Sequence, residues 1–196
     1  GMDFVAAKGN HDMDGFDGVS KLWSDPVNGY AAQLQGLKPG ECFGKYGVDM
    51  TCDFAGVTIV LSDVGVDRAG ESANKQQYAQ IDKALRESTN KWKICVWHMN
   101  QEAMQVSYKG DAVGWGVYEI CRKHGAFIVN GHAHTYSRTK EMSRFGTAPY
   151  GFTNKDLQIA PAVRDGTQPT NVIHLSSGED GSTGVAALGF GGDKNE

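Results

Sequence analysis

The sequence predicts an α/β fold, and three observations carry the prediction. Five runs of three to five apolar residues, rich in Val, Ile and Phe, read as buried strands. Two stretches between them change their apolar period from 2 to 3.6, as helices do. The two kinds of segment alternate along the chain, the pattern of strands joined by helical crossovers.

In order, the strand candidates are DFVAA at 3–7, VTIVL at 57–61, KICV at 93–96, AFIV at 126–129 and NVI at 171–173. ANKQQYAQIDKALRES is the first helix, with Tyr78, Ile81, Ala84 and Leu85 on one face and Asn74 as its N-cap. VGWGVYEICRKHG is the second, with Val117, Ile120 and Cys121 on one face and Gly125 ending it. GVSKLW at 18–23 reads as a further short helix, and GFGGDKNE as a mobile tail. Residues 24–56 and 139–170 are long excursions whose strands the pattern does not locate. Trp92, Trp97, Trp115 and Tyr118 read as packing residues.

A length of 196 residues suits one domain, 1–196, and 26 glycines point to many loops. The formal charge of −4 is spread without acidic or basic blocks, which implies no nucleic-acid partner. No apolar run approaches a membrane span and the start shows no signal-peptide pattern. Gly1 before Met2 reads as a tag-removal scar. Cys95 and Cys121 fall in apolar patterns and read as core, whereas Cys42 and Cys52 can bridge if the compartment is oxidising, which the sequence leaves open.

Four of the strand candidates run into polar loops that carry histidine: KGNHD, WHMN, NGHAH and HLSSGEDG. If the helix-connected strands are parallel, these loops share one edge of the sheet, where ligands of open α/β sheets bind. His132 and His134, two apart on an extended segment, would point the same way. Asn10, His11, His98, His132 and His134 form the inventory, with Asp63 and His174 as weaker members. Imidazoles with a few oxygen donors suit zinc, iron or manganese, and such metals make water a nucleophile near neutral pH. Each residue alone has an ordinary reading: a lone histidine is a hydrogen-bonded core or surface group, Asn10 a turn residue, His124 a cation at a helix C-terminus. The acidic DMDGFDG stretch lacks the spacing of a calcium loop.

Taken in order, GNHD at 9–12, WHM around His98 and GHAH at 131–134 resemble the motifs of calcineurin-like metallophosphoesterases. GHAHTYSRT, the segment from Gln77 through Trp92 to His98, and NVIHLSSGEDGS look closest to the purple acid phosphatase branch. The resemblance implies a four-layer α/β/β/α sandwich that hydrolyses phosphate monoesters or diesters with a metal-bound hydroxide. It implies two iron, zinc or manganese ions in the family, with Asn10, His98 and His132 on one, His134 on the other, and His11 beside the phosphoryl group as the catalytic residue. It also favours an extracellular or periplasmic location. Asp12 stands where purple acid phosphatases commonly have glutamate.

The family's earlier Asp-x-His and Gly-Asp motifs have no counterpart, because only eight residues precede Gly9. The expectation is therefore the C-terminal part of the sandwich, without its first strands and helices and without the bridging aspartate, holding one metal or none and open to self-association along the uncovered edges. Asp63 or Asp3 is the candidate stand-in for the bridge. The alternative is a non-catalytic metal-binding or scaffold module of the same fold. A β-lactamase-like metal hydrolase needs an aspartate where Tyr136 stands.

Overall fold

The computed structural model describes residues 4–36, 41–66, 74–104, 109–134, 137–138, 142–145, 158–159, 174–176 and 186–187. Its strands are β1 (Ala6–Ala7), β2 (Glu41–Phe43), β3 (Asp49–Phe54), β4 (Val57–Ser62), β5 (Trp92–Trp97), β6 (Phe127–Asn130), β7 (Ser137–Arg138), β8 (Met142–Arg144), β9 (Gln158–Ile159), β10 (His174–Ser176) and β11 (Ala186–Ala187). The helices are α1 (Tyr30–Gln35), α2 (Lys75–Glu87) and α3 (Gly116–Lys123).

Seven strands form one mixed sheet in the order β2-β3-β4-β5-β6-β10-β7. β4, β5, β6 and β10 run parallel, as crossovers through α2 and α3 require, and β2, β3 and β7 are antiparallel to their neighbours. β4, β5 and β6 read as largely apolar runs because both their faces are covered. Val60, Cys95, Trp97 and Ile128 face α2 and α3, together with Tyr78, Ile81, Leu85, Val117, Tyr118 and Cys121 from the helices. Ile59, Leu61, Val96 and Val129 face the other way, onto a second core with Val5, Ala7, Trp23, Tyr46 and Met50. The parity of the two sets follows the register Ile59↔Ile94 and Cys95↔Ile128. β1 and β11 pair as a small antiparallel sheet, and α1 packs its Tyr30, Ala31 and Leu34 against the second core.

Several expectations are corrected at the level of single elements. DFVAA shortens to β1 and joins the small sheet, because its Val5 and Ala7 are used to cover the second core. Asn74 does not cap α2 with its side chain. Its Oδ1 instead accepts the Gly65 N–H at 2.9 Å and ties the loop after β4 to the helix start. GVSKLW forms turns rather than a helix, with Gly18 in a left-handed conformation. Trp92 is 54% exposed and stacks on Phe127, whereas Trp97, Trp115 and Tyr118 do form a buried aromatic cluster with Phe145.

The excursion 24–56 contains α1, β2 and β3 and ends in the turn Ala55–Gly56 that leads into β4, with φ of 50° and 82°, a two-residue turn of the kind that suits twisted strands. Cys42 and Cys52 oppose each other across β2 and β3 and are disulfide-bonded. Cys95 and Cys121 are buried and free. His124 caps the C-terminus of α3, and its Nε2 lies 2.9 Å from Asp82 of α2. GFGGDKNE lies outside the described residues. Among the described residues no helix is long and apolar enough to cross a membrane.

Candidate metal centre

The strand that leads to Asn10 is fixed by close backbone approach. Lys8 N–H donates to the Gly47 carbonyl at 2.9 Å, and Gly47 has φ of 63°. A Cβ there would meet the Trp23 ring at 2.7 Å and the Ala6 carbonyl at 2.9 Å, so the position admits only glycine without rearrangement. The chain then makes one 3-10 turn, Asn10–Asp12. Asp12 N–H donates to the Gly9 carbonyl at 3.2 Å, and the buried Asp12 carboxylate accepts the Gly9 N–H at 2.8 Å. Burial pushes this carboxyl above the usual carboxylate range, against the Gly9 hydrogen bond, which lowers it.

That turn brings Asn10 Oδ1 to 3.0 Å from Nε2 of His98, which is 88 residues distant in sequence. His98 is the first residue past β5, is 2% exposed, and leaves its Nδ1 buried without a partner. The half-buried His132 ring lies edge-on to it, with centroids 5.3 Å apart. Burial, then the charges of His132, Lys109, His11 and His134, hold His98 down to about 3. Burial, then Lys109, His134 and His11, hold His132 down to about 4. Both rings are therefore neutral at physiological pH, the form in which imidazole ligates metals.

The pair His132 and His134 departs from its expected geometry. Both are in the left-handed region, at φ of 70° and 46°, so the segment is a tight turn and strand alternation does not govern it. His132 is half-buried and His134 exposed. His11 is exposed and packs on Phe16 with ring centroids 4.3 Å apart. Asp63 follows β4, and its carboxylate accepts from Gln77 of α2 at 3.5 Å. His174 lies within β10, paired with Ile128, two residues short of the strand end rather than in the loop beyond it. Asp3 and Tyr136 lie outside the described residues. Lys109, whose charge acts on both His98 and His132, is not among the residues the histidine loops point to. Nor are the fully buried Asn100 and Asn130, each within two residues of a candidate histidine.

Residues 2–136 match the family model of calcineurin-like phosphoesterases. The chain belongs to that family. No curated protein matches the sequence. Among solved structures, a purple acid phosphatase isolated from yellow lupin (Lupinus luteus) seeds is similar at 17% identity and a TM-score of 0.48. The similarity covers 97% of this chain and 32% of the lupin protein, so the chain spans about a third of that protein's length. The mixed sheet with its helices is the fold of this family.

Calcineurin-like phosphoesterases are metal-dependent, and two donors of this chain, Asn10 Oδ1 and His98 Nε2, are close enough to share a cation. A separation of 3.0 Å between Asn10 Oδ1 and His98 Nε2 is that of two adjacent donors on one ion with bonds of about 2.1 Å. Among the described residues no three His, Cys, Asp or Glu side chains gather into a ligand cluster. An ion bound beside His98 would thus lean on the amide oxygen of Asn10.

Proposed function

We propose that the chain is a metal-dependent phosphoric ester hydrolase domain, acting on phosphomonoesters or phosphodiesters. The observation that carries this reading is the meeting of Asn10 and His98 at 3.0 Å, which brings together two segments 88 residues apart that both lie within the stretch matching the calcineurin-like family. Asn10, His98 and His132 would hold one transition metal ion, iron, zinc or manganese, and His134 would serve a second. When bound, such ions act as Lewis acids toward a phosphoryl oxygen and make water a nucleophile at neutral pH.

The remaining work falls to the chain's own side chains. His11, exposed on the turn that carries Asn10, would sit beside the phosphoryl group, stabilising its charge or protonating the departing ester oxygen. Lys109 adds positive charge that acts on His98 and His132, and the anionic substrate is drawn to it. Phe16 restrains the His11 ring through their 4.3 Å contact. The Cys42–Cys52 bridge supports an oxidising compartment, outside the cell or in a periplasm.

The test is metal analysis of the purified chain together with hydrolysis of nitrophenyl phosphate in the presence of added zinc, manganese or iron. Bound metal that is lost in His132→Ala, together with ester hydrolysis that requires it, is the expected result. A chain that binds metal and leaves the ester intact is the non-catalytic module of the alternative reading. Metal content unchanged in both His98→Ala and His132→Ala would refute the ligand assignment.

A further inference from the structure

Beyond the last paired residues of β5 and β6, Val96 and Val129, the ladder that fixes one strand against the next has ended. The loops that carry His98 and His132 start there, and backbone groups outside a ladder need other partners. Two asparagines supply them, and their bonds cross. Asn130, at the end of β6, donates from Nδ2 to the carbonyl of Trp97, the residue before His98, at 3.1 Å. Asn100, two residues past His98, donates from Nδ2 to the carbonyl of Gly131, the residue before His132, at 2.7 Å. Between them Gly131 N–H donates to the carbonyl of His98 itself at 3.1 Å.

Both asparagines are 0% exposed. Burying an amide is unfavourable unless it is hydrogen-bonded, and Asn100 keeps its Oδ1 without a partner. An apolar residue of the same size would fill this space at lower cost if filling it were the only task. The crossing is anchored further down. Tyr118 of α3 donates its hydroxyl hydrogen to Asn130 Oδ1 at 3.5 Å and accepts the Gln101 N–H at 3.2 Å, while Ala112 N–H donates to the Asn100 carbonyl at 3.2 Å. His132, in its left-handed conformation, follows directly on a glycine held from both sides. Backbone strain of this kind persists where the surroundings over-determine it.

We propose that Asn100 and Asn130 are positioning residues whose crossed amide bonds fix the separation of the His98 and His132 rings, and thereby set the affinity of that pair for a divalent transition metal ion. The inference rests on the metal-centre reading above.

The experiment is a titration of cobalt(II), followed by visible absorption, into the wild-type chain, Asn100→Leu, Asn130→Leu and Thr58→Val. Thr58 sits in β4 away from the histidines and serves as the control for lost stability. Circular dichroism fixes a temperature at which all four are folded. Each leucine variant is expected to bind cobalt at least about tenfold more weakly, with an altered visible band, as when the partners of metal-bound histidines are removed. Thr58→Val is expected to keep wild-type affinity. If a leucine variant does not fold, Asn100→Ser and Asn130→Ser, which keep a donor on a shorter arm, are titrated with the same expectation. Leucine or serine variants that bind cobalt as the wild type does overturn the inference, whatever their melting temperatures. A wild-type chain that binds no cobalt overturns the metal-centre reading, and the inference with it.

Discussion

Near the start of β4, Thr58 is buried and its hydroxyl is surrounded: Asp53 Oδ1 at 2.5 Å, Ser88 Oγ at 2.6 Å and Asn90 Nδ2 at 3.0 Å. Past the end of the neighbouring β5, His98 is buried to the same degree, yet its Nδ1 has no partner and its Nε2 faces an amide oxygen among other imidazoles. Both regions lie on strands of one sheet. The first satisfies its polar groups internally and so contributes to stability. The second carries neutral, desolvated imidazoles and two left-handed histidines, features that are unfavourable for stability and that a bound cation would turn to use. Substitutions that separate metal affinity from stability test whether this contrast is functional.

The largest separation is expected at His98. His98→Leu removes a proposed ligand and should weaken cobalt binding by more than about 100-fold, beyond the range of changes to outer partners. The same substitution removes a buried unpartnered nitrogen, so urea unfolding should show stability unchanged or raised by about 1 kcal/mol. A variant that loses stability and keeps its metal would reverse the contrast. Gly47→Ala comes next and acts on both regions through the backbone. It forces a side chain into left-handed geometry against the Trp23 ring and the Ala6 carbonyl, at a cost of about 2 kcal/mol by urea unfolding. Cobalt binding should weaken as well, because the segment held by Gly47 leads to Asn10.

How much of this was legible in the sequence differs between the same two regions. β4, β5 and β6 are readable because strands covered on both faces are dominated by apolar residues, and the helices because Tyr78, Ile81 and Leu85 recur on one face. The site residues were readable as types, since histidines cluster where apolar runs end. Their geometry was not. Strand periodicity says nothing about a segment that leaves the extended region, so His132 and His134 were expected to align and instead occupy a turn. DFVAA looked like a strand of the main sheet because local pattern does not reveal which sheet a strand joins. The asparagine crossing was invisible because it depends on pairs 31 and 33 residues apart. The Ala55–Gly56 turn left a weak signal, a glycine between two apolar stretches, inside a region otherwise without period.

Thr58→Val is the reciprocal of His98→Leu, with a smaller effect. Removing the hydroxyl leaves Asp53, Ser88 and Asn90 with fewer partners and should lower stability by about 1.5 kcal/mol in urea, with cobalt affinity unchanged. A loss of cobalt affinity in this variant would mean that metal binding follows global stability, and the contrast between the two regions would then carry no functional meaning.

The smallest effect concerns the contact between α2 and α3 and has its own pH signature. The hydrogen bond from His124 lowers the Asp82 carboxyl, partial burial opposes this by raising it, and the charge of Arg86 lowers it further. A carboxyl lowered in the folded state stabilises the fold above its unfolded value of about 3.9, and that contribution disappears as pH falls through the lower folded value. Because Asp82 is 39% exposed, solvent screens the pair, and its contribution is at most about 0.5 kcal/mol. His124→Ala should therefore reduce stability slightly at pH 5 and not at all near pH 2, narrowing the acid-induced fall in urea midpoint between these two pH values. An equal loss at both would assign His124 to packing at the end of α3 rather than to its bond with Asp82. Since neither residue belongs to the histidine cluster, cobalt affinity at neutral pH should stay at the wild-type value throughout.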